Sequence, residues 1–373
     1  MVSIVIVHSS GDAHQGGTIT FLRAMLGRLN EGRFRWVVIF LNGGPLVEEF
    51  RARGISVVTL NAGRVRHVVS TIGAVHRIRE VLRREDISLV LSNGPKEHIY
   101  GGLAARLARV PAVWYCHGLR PDSPLIRWAA AAVPTRMILT HGEHTLARVE
   151  KSYRAPARSI PIGIELPAGG SSGVGVREEF GIGPEVPVVT IVGLLMRWKG
   201  QDVFLDAAAQ IRACQPQARF LVVGDRPADG DAAYVAALRQ QIRSLGLDRA
   251  VTFTGFRHDV QAIMAASDVV VHASTSPEPF GIVLLEAMAA ARPVVATALG
   301  GPLEIVVPGE TGLLVPPGEP NALAEAALFL LERPALRRAM GENGRKRVET
   351  LFTADRMARD LEAVLGECVG RVQ

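Results

Sequence analysis

The sequence predicts an α/β protein built from two doubly wound domains, each a parallel sheet flanked by helices. Three observations predict it. Short runs rich in Val and Ile alternate with helical patterns, first from Ser3 to Ile162 and again from Val188 to Val369. That alternation is the rhythm of βαβ units and parallel sheets. Between the two series lies Pro167-Ala-Gly-Gly-Ser-Ser-Gly-Val-Gly175, a linker by composition. The chain of 373 residues, 48% hydrophobic and 21% charged, is long enough for two full cores and too apolar for disorder.

Taken in order, Ser3 to His8 reads as a strand by its continuous β-branched run. Ser9 to Gly17 reads as a glycine loop, and Thr18, a good cap residue, starts a helix to Leu29. Strands are expected at Trp36–Leu41, Ile55–Leu60, Ser88–Ser92, Ala112–Cys116, Thr135–Thr140 and Arg158–Ile162. Helices are expected at Pro45–Arg53, Val68–Arg84, Glu97–Ala108, Leu125–Val133 and Glu143–Lys151. The second series opens with a strand at Val188–Gly193, a loop with Arg197 and Lys199, and a helix from Gln201 to Cys214. Strands at Arg219–Gly224, Val251–Thr254, Asp268–His272, Pro293–Thr297 and Gly312–Val315 follow, with helices between and after them. The domain boundaries expected are 1–166, a linker at 167–187, a second domain at 188–355 and a terminal helix at 356–373.

Charge is uneven. Net charge is +6, but residues 1–165 carry about 22 Lys/Arg against 12 Asp/Glu, and the remainder is net negative. A basic first half suits an anionic partner or reflects an arginine-rich composition. Leu125-Ile-Arg-Trp128, with Arg120, Arg127 and Arg136 nearby, reads either as core or as a membrane-contact face. Cys116, Cys214 and Cys368 are odd in number and widely spaced, which argues for a reducing compartment and against a disulfide frame. No leader and no apolar run long enough to cross a bilayer is evident, so a cytoplasmic protein, at most peripheral, is expected. No nucleic-acid partner is expected.

The densest chemical signal is Ser276-Pro-Glu-Pro-Phe-Gly-Ile-Val-Leu-Leu-Glu286. Pro277 and Pro279 forbid regular helix around Glu278. Gly281 lets backbone approach a ligand, and the free N–H groups of Gly281, Ile282 and Val283 at a helix start suit a phosphate. Glu278 and Glu286 form an E-x7-E pair, and carboxylates suit sugar hydroxyls, which need a fixed acceptor. In the first half, Gly16 and Gly17 follow the first strand, where a glycine loop cradles phosphate; the spacing matches neither G-x-G-x-x-G nor a P-loop. His117 falls at the carboxyl end of a strand, where open sheets bind ligands.

These motifs resemble the retaining GT-B glycosyltransferases, family 4 in particular. The likeness runs through Val192-Gly-Leu-Leu-Met-Arg-Trp-Lys-Gly200, Phe253-Thr-Gly-Phe256, the E-x7-E loop, Arg292-Pro-Val-Val-Ala-Thr297, Gly300-Gly-Pro-Leu-Glu-Ile305 and Gly309-Glu-Thr-Gly-Leu-Leu-Val315. It covers most of the second half and is looser in the first. The resemblance implies two Rossmann-like domains across a cleft, with the last helix returning to the first domain. It implies sugar transfer from a nucleotide-diphosphate sugar to an acceptor hydroxyl with retention, in envelope or exopolysaccharide assembly. The acceptor would be a glycan, a lipid-linked or a small molecule. Glu286 would accept from the ribose, Glu278 from the sugar, and His117 would hold the sugar. Lys199 and Arg197 would meet the leaving diphosphate, with Gly16, Gly17, Phe256 and Phe280 lining the donor. No cofactor or metal is implied, and no protein base: the departing phosphate would take the acceptor proton.

Two departures stand out. The family's Gly-Arg-Leu is Gly193-Leu194-Leu195 here, so the phosphate arginine is missing and Arg197 is expected to replace it. The family's His-Asp is His117-Gly118. Rival readings on the same architecture are a nucleotide-sugar epimerase, a natural-product glycosyltransferase and a non-enzymatic partner subunit.

Overall fold

A computed structural model of the protein describes residues 2–11, 16–29, 34–63, 67–118, 124–167, 172–227 and 230–369. Two compact units emerge: Met1–Gly163 with Ala354–Gln373, and Ile164–Thr353.

The first unit runs β1 (Val2–His8), α1 (Gly16–Leu29), β2 (Phe34–Phe40), α2 (Pro45–Ala52), β3 (Ser56–Thr59), α3 (Val68–Arg84), β4 (Ile87–Ser92), α4 (Pro95–Ala108), β5 (Ala112–Cys116), α5 (Pro124–Ala131), β6 (Met137–Thr140), α6 (Glu143–Ser152) and β7 (Ala157–Ser159). Its sheet is parallel, in the order β3-β2-β1-β4-β5-β6-β7. Ile4 to Val7 are wholly buried, which is why β1 reads as an unbroken apolar run and not an alternating one. In register, Val5 pairs Val37 on one side and Val90 on the other.

The second unit runs α7 (Val174–Glu179), β8 (Val188–Val192), α8 (Gln201–Cys214), β9 (Arg219–Val223), α9 (Ala232–Ser244), β10 (Val251–Gly255), α10 (Val260–Ala266), β11 (Val269–His272), α11 (Ile282–Ala289), β12 (Val294–Thr297), α12 (Pro302–Ile305), β13 (Gly312–Val315), α13 (Pro320–Leu331) and α14 (Pro334–Leu351). Its sheet order is β10-β9-β8-β11-β12-β13, again parallel. Phe204, Phe220, Val271 and Leu330 meet in one core cluster between sheet and helices.

Helix α15 (Ala354–Val369) belongs to the first unit and packs along α1. Arg28 pairs with Asp355 and Arg158 with Glu367, while Met357 Sδ accepts from the Gly163 amide.

Three local expectations change. The stretch expected as linker contains α7, whose Val176 is buried in a cluster with Val188 and Ile263. Arg177 fastens it: its guanidinium donates to Ala266 O at 3.0 Å and to Asp268 at 3.0 Å, and Asp268 also accepts from the Val188 amide. Helix α1 opens at Gly16, so Thr18 lies inside its first turn and is not the cap. In α5, Ile126 and Ala130 pack into a core cluster with Trp114, and Trp128, 72% exposed, is the one large apolar side chain of the helix that stands out among the described residues. Arg120 and the side chain of Leu125 lie outside the described residues.

Candidate functional site

Each sheet reverses its order once, between β1 and β4 in the first unit and between β8 and β11 in the second. Loops leaving the carboxyl ends of such strand pairs diverge and leave a crevice. In the second unit those loops are residues 193–200 and 273–281. They are tied together: the Thr275 amide donates to Trp198 O at 2.8 Å. Gly200 has φ +70°, and a Cβ there would overlap the Ala273 carbonyl oxygen. Only glycine meets both demands.

This tie brings Lys199 to Glu278. Nζ lies 2.6 Å from Oε2, and both side chains are largely buried. Ser274 Oγ donates to the same oxygen at 3.2 Å, and His272 Nε2 lies 3.3 Å from it. Oε1 makes no hydrogen bond among the described residues, so one acceptor oxygen stays open. Burial pushes the Glu278 carboxyl up, but the Lys199 charge and the His272 contact together hold it well below the usual carboxylate range.

The backbone around Glu278 is fixed from the far side. Gly301 N–H donates to Glu278 O at 2.8 Å, and a Cβ on Gly301 would overlap the Phe280 carbonyl. The Phe280 side chain is 3% exposed and packs edge-on to Phe352, so it can offer a ligand its backbone only. Gly281 caps α11 at φ +109° without a side-chain bond, leaving the first-turn N–H groups of Ile282 and Val283 to a ligand.

Glu286, one turn inside α11, has no ion pair or side-chain hydrogen bond among the described residues. It is half-buried by exposed area, yet enough protein surrounds it that lost hydration pushes its carboxyl up to about 7.

Arg197 is not brought to this cluster. It opens a short 3-10 turn, Arg197–Lys199, and pairs with Asp231 at 2.9 Å, over the Tyr234 ring at 5.1 Å. Its side chain is 65% exposed. Asp231 also caps α9 by accepting from the Tyr234 amide. At Leu194 the backbone oxygen accepts from Gln201 Nε2 at 2.9 Å, and the side chain supplies no charge. Phe256 follows β10 at the sheet edge, 41% exposed and edge-on to His258.

The first unit builds a different surface at its own reversal. His8 ends β1, Asn93 follows β4, His117 follows β5 and His141 follows β6, so four neighbouring strands each deliver one polar side chain. They form a chain of hydrogen bonds: His8 Nδ1 to Asn93 Nδ2 at 2.9 Å, Asn93 Oδ1 to His117 Nε2 at 2.6 Å, and His117 Nδ1 to His141 Nε2. Burial pushes His8 down to about 4 and His117 down to about 3, His8 adding to the second shift; burial and then His117 carry His141 well below its ordinary value. The histidines are therefore neutral. Asn93 donates to His8 with its amide nitrogen and accepts from His117 with its oxygen, which places the His117 proton on Nε2. Nearby, Glu97 is buried in the first turn of α4 and hydrogen-bonded by Ser9, its carboxyl raised by burial. Gly16 and Gly17 form the first turn of α1 and not a loop, with Gly17 exposed.

Sequence reading found His117, Lys199, Glu278 and Glu286 but missed His8, Asn93, His141 and Ser274. The signal was present: each is the polar residue that ends or follows an apolar strand run. Among the described residues no group of three or more His, Cys, Asp or Glu is placed to hold a metal ion.

Comparison with known proteins bears on both units. Residues 176–347 match the model described as "Glycosyl transferases group 1", and residues 15–166 the model described as "Glycosyltransferase Family 4". The chain is similar to Anabaena Alr3699/HepE, solved with UDP and glucose and with UDP-glucose. Identity is 27% and 28%, TM-scores are 0.88 and 0.87, and each match covers 98% of this chain and 100% of that one. The alpha-D-kanosaminyltransferase of Streptomyces kanamyceticus is 34% identical over 169 residues, 45% of this chain and 42% of that protein. The match thus spans under half of that relative. The GDP-mannose-dependent monoacylated alpha-(1-6)-phosphatidylinositol monomannoside mannosyltransferase of Corynebacterium glutamicum is 27% identical over 310 residues, 78% of this chain and 79% of that protein.

Proposed function

We propose a reaction for this chain on the premise that it belongs to the group 1, family 4 glycosyltransferases, proteins of the GT-B class with two Rossmann-like units. It transfers a sugar from a nucleotide-diphosphate sugar to an acceptor hydroxyl, with retention at the anomeric carbon. The bond from that carbon to the diphosphate oxygen breaks. The acceptor oxygen bonds on the same face, and its proton leaves with the diphosphate.

The observation that carries this reading is Glu278: a buried carboxylate held ionised by Lys199, with one oxygen spent on the protein and the other open. An open, fixed acceptor suits sugar hydroxyls. Lys199 would share its charge with a diphosphate whose charge grows as the bond breaks, the kind of stabilisation that most lowers such barriers. The free N–H groups at the start of α11 add to it. Glu286, with no side-chain partner among the described residues, suits the ribose hydroxyls. His117 is held neutral, and to take a sugar hydroxyl it would exchange one of its two ring hydrogen bonds, to Asn93 or to His141, for the ligand.

The HepE complexes make a uridine diphosphate sugar the donor to test first. The Corynebacterium relative, matched over most of its length, supports a lipid-linked acceptor and a role in envelope glycan assembly. Chemistry without a metal is part of the proposal, Lys199 and the α11 amides supplying positive charge. Thermal stability measured with UDP-, GDP- and ADP-sugars tests the donor, since a ligand of the native state raises it. Proton NMR of the product's anomeric centre tests retention. Equal stability with and without every nucleotide sugar would overturn the reading.

A further inference from the structure

We propose that the outer face of helices α3 and α4 in the first unit docks on an anionic lipid surface. Helix α3 packs along α4, and between them lies an open groove of about 310 Å³. Ile72, Val75, Leu103 and Leu107 line it, with His76 and Arg106 at its margin. Val69 is 85% exposed, Ile72 53% and Leu107 49%. No other pair of touching helices among the described residues exposes three large apolar side chains.

The spacing shows why they share one face. Val69, Ile72, His76, Arg79 and Arg83 recur at three- and four-residue steps and so lie on one stripe of α3. The stripe is apolar at its start and cationic toward its end. Arg79 reaches across to α4 and donates to Leu107 O at 3.3 Å. Arg106 and Arg109 close the far end of α4, where Glu97 is buried at the other end and contributes nothing to the surface. Arg79 and Arg83 on the stripe and Arg106 and Arg109 on α4 make this end basic, with Glu80 the acid beside them; Arg84, off the stripe, is paired with Glu85.

An apolar stripe rimmed by arginine fits the boundary between headgroups and acyl chains: the apolar side chains enter and the guanidiniums meet lipid phosphates. A soluble protein partner would have to cover the like charges of Arg79, Arg83, Arg106 and Arg109, and so would a second copy of this face. Helix α5, the sequence's candidate for a membrane face, offers Trp128 and turns Ile126 and Ala130 into the core. The proposal adds a location to the lipid-linked acceptor of the reading above, and its test does not depend on turnover.

The test is flotation of the full chain with vesicles of phosphatidylcholine, alone or with one-third phosphatidylglycerol. Binding to the anionic vesicles at low salt, falling as salt rises, is expected. Arg83→Glu and Arg106→Glu should each lower it by about fivefold or more, the loss per basic residue near such a surface. Ile72→Asp with Leu107→Asp should lower it at least about tenfold. Both sites are exposed, so these variants should melt like the wild type and bind UDP unchanged. Failure of the wild type to float with anionic vesicles at low salt overturns the proposal, whatever UDP does. So does flotation that Ile72→Asp with Leu107→Asp leaves intact, or a dimer in sedimentation velocity that this pair abolishes while vesicles stay unbound.

Discussion

Replacing Glu286 by glutamine should stabilise the ligand-free protein at pH 8 and weaken its hold on the nucleotide. Burial pushes this carboxyl from its ordinary 4.5 up to about 7, and no neighbouring cation offsets it. Between those two pH values the unfolded chain has lost the proton and the folded chain still holds it. Stability therefore falls as pH rises through that window, and above about pH 7 the whole penalty stands. A shift of roughly 2.5 units corresponds to about 3 kcal/mol at most, given that the side chain keeps some contact with water. Glutamine has the same shape and no charge to bury. Urea unfolding of Glu286→Gln should match the wild type near pH 4.5 and exceed it by up to about 3 kcal/mol at pH 8.

Nucleotide binding should move the other way. A ribose hydroxyl donates best to an ionised carboxylate, so wild-type affinity for UDP should rise as pH passes about 7. Hydrogen bonds to charged groups are worth about 1.5–3 kcal/mol, so Glu286→Gln should lose about ten- to a hundredfold in affinity and lose the pH dependence. Titration calorimetry across the same pH range reads both. A glutamine variant that keeps the wild-type pH profiles of stability and of UDP affinity would refute the reasoning from burial to binding.

Other outcomes follow from the same geometry. Glu278→Gln should lower turnover far more than it weakens UDP binding, because UDP lacks the sugar; equal losses in steady-state kinetics and calorimetry would remove the sugar contact. Turnover should survive excess EDTA, since Lys199 and the α11 amides supply positive charge; complete loss restored by a divalent cation would show that they do not suffice. Arg197→Ala should change turnover less than about fivefold, because Arg197 is exposed, pairs with the solvent-screened Asp231 and is not brought to Lys199 and Glu278; a hundredfold loss would return Arg197 to the phosphate role its sequence position suggests. The first unit should lose stability as pH falls below 6.5, where the unfolded chain takes up protons that native His8, His117 and His141 refuse, at up to about 1.4 kcal/mol per pH unit for each histidine. Acid unfolding curves unchanged by His8→Gln or His141→Gln would contradict that neutrality.

The parallel sheets were legible because their strands are buried on both faces, so each is an unbroken run such as Ile4 to Val7 or Val269 to Val271. Glu278, Glu286 and Lys199 were legible because proline, glycine and strand ends mark where the chain must leave the sheet. Arg197 was not, because its partner is decided by Asp231, thirty-four residues on, which also caps another helix. Helix α7 was hidden beside a glycine-rich stretch; Arg177 and Asp268, ninety-one residues apart, hold it in place. The histidine chain joins residues 8, 93, 117 and 141, and only the strand order makes them neighbours.

That strand order gives both units the same crevice, yet they furnish it in opposite ways. In the second unit the reversal gathers charged and ionisable groups: an ammonium, an ionised carboxylate and a second carboxyl with no side-chain partner among the described residues. In the first it gathers neutral imidazoles and an amide joined in a chain of hydrogen bonds, with His8 Nε2 buried and unpaired among the described residues. The energetics explain the division. A diphosphate brings its own charge, so a buried cation and helix N–H groups find a partner when it binds and their desolvation is offset. A sugar or an alcohol brings only hydroxyls. Buried charge opposite it would stay uncompensated, whereas neutral donors and acceptors exchange water for hydroxyl at little cost. Asn93 matters more than its size suggests, because its amide bonds both His8 and His117 and so couples their tautomers. Asn93→Asp would place a carboxylate between two imidazoles and draw protons onto both. The ring nitrogens of His117 would then both be donors, and imidazole nitrogen NMR shifts would report the change directly. An Asn93→Asp protein whose His8 and His117 stay neutral at pH 6 would show that burial alone, and not the amide, holds the network in its present state.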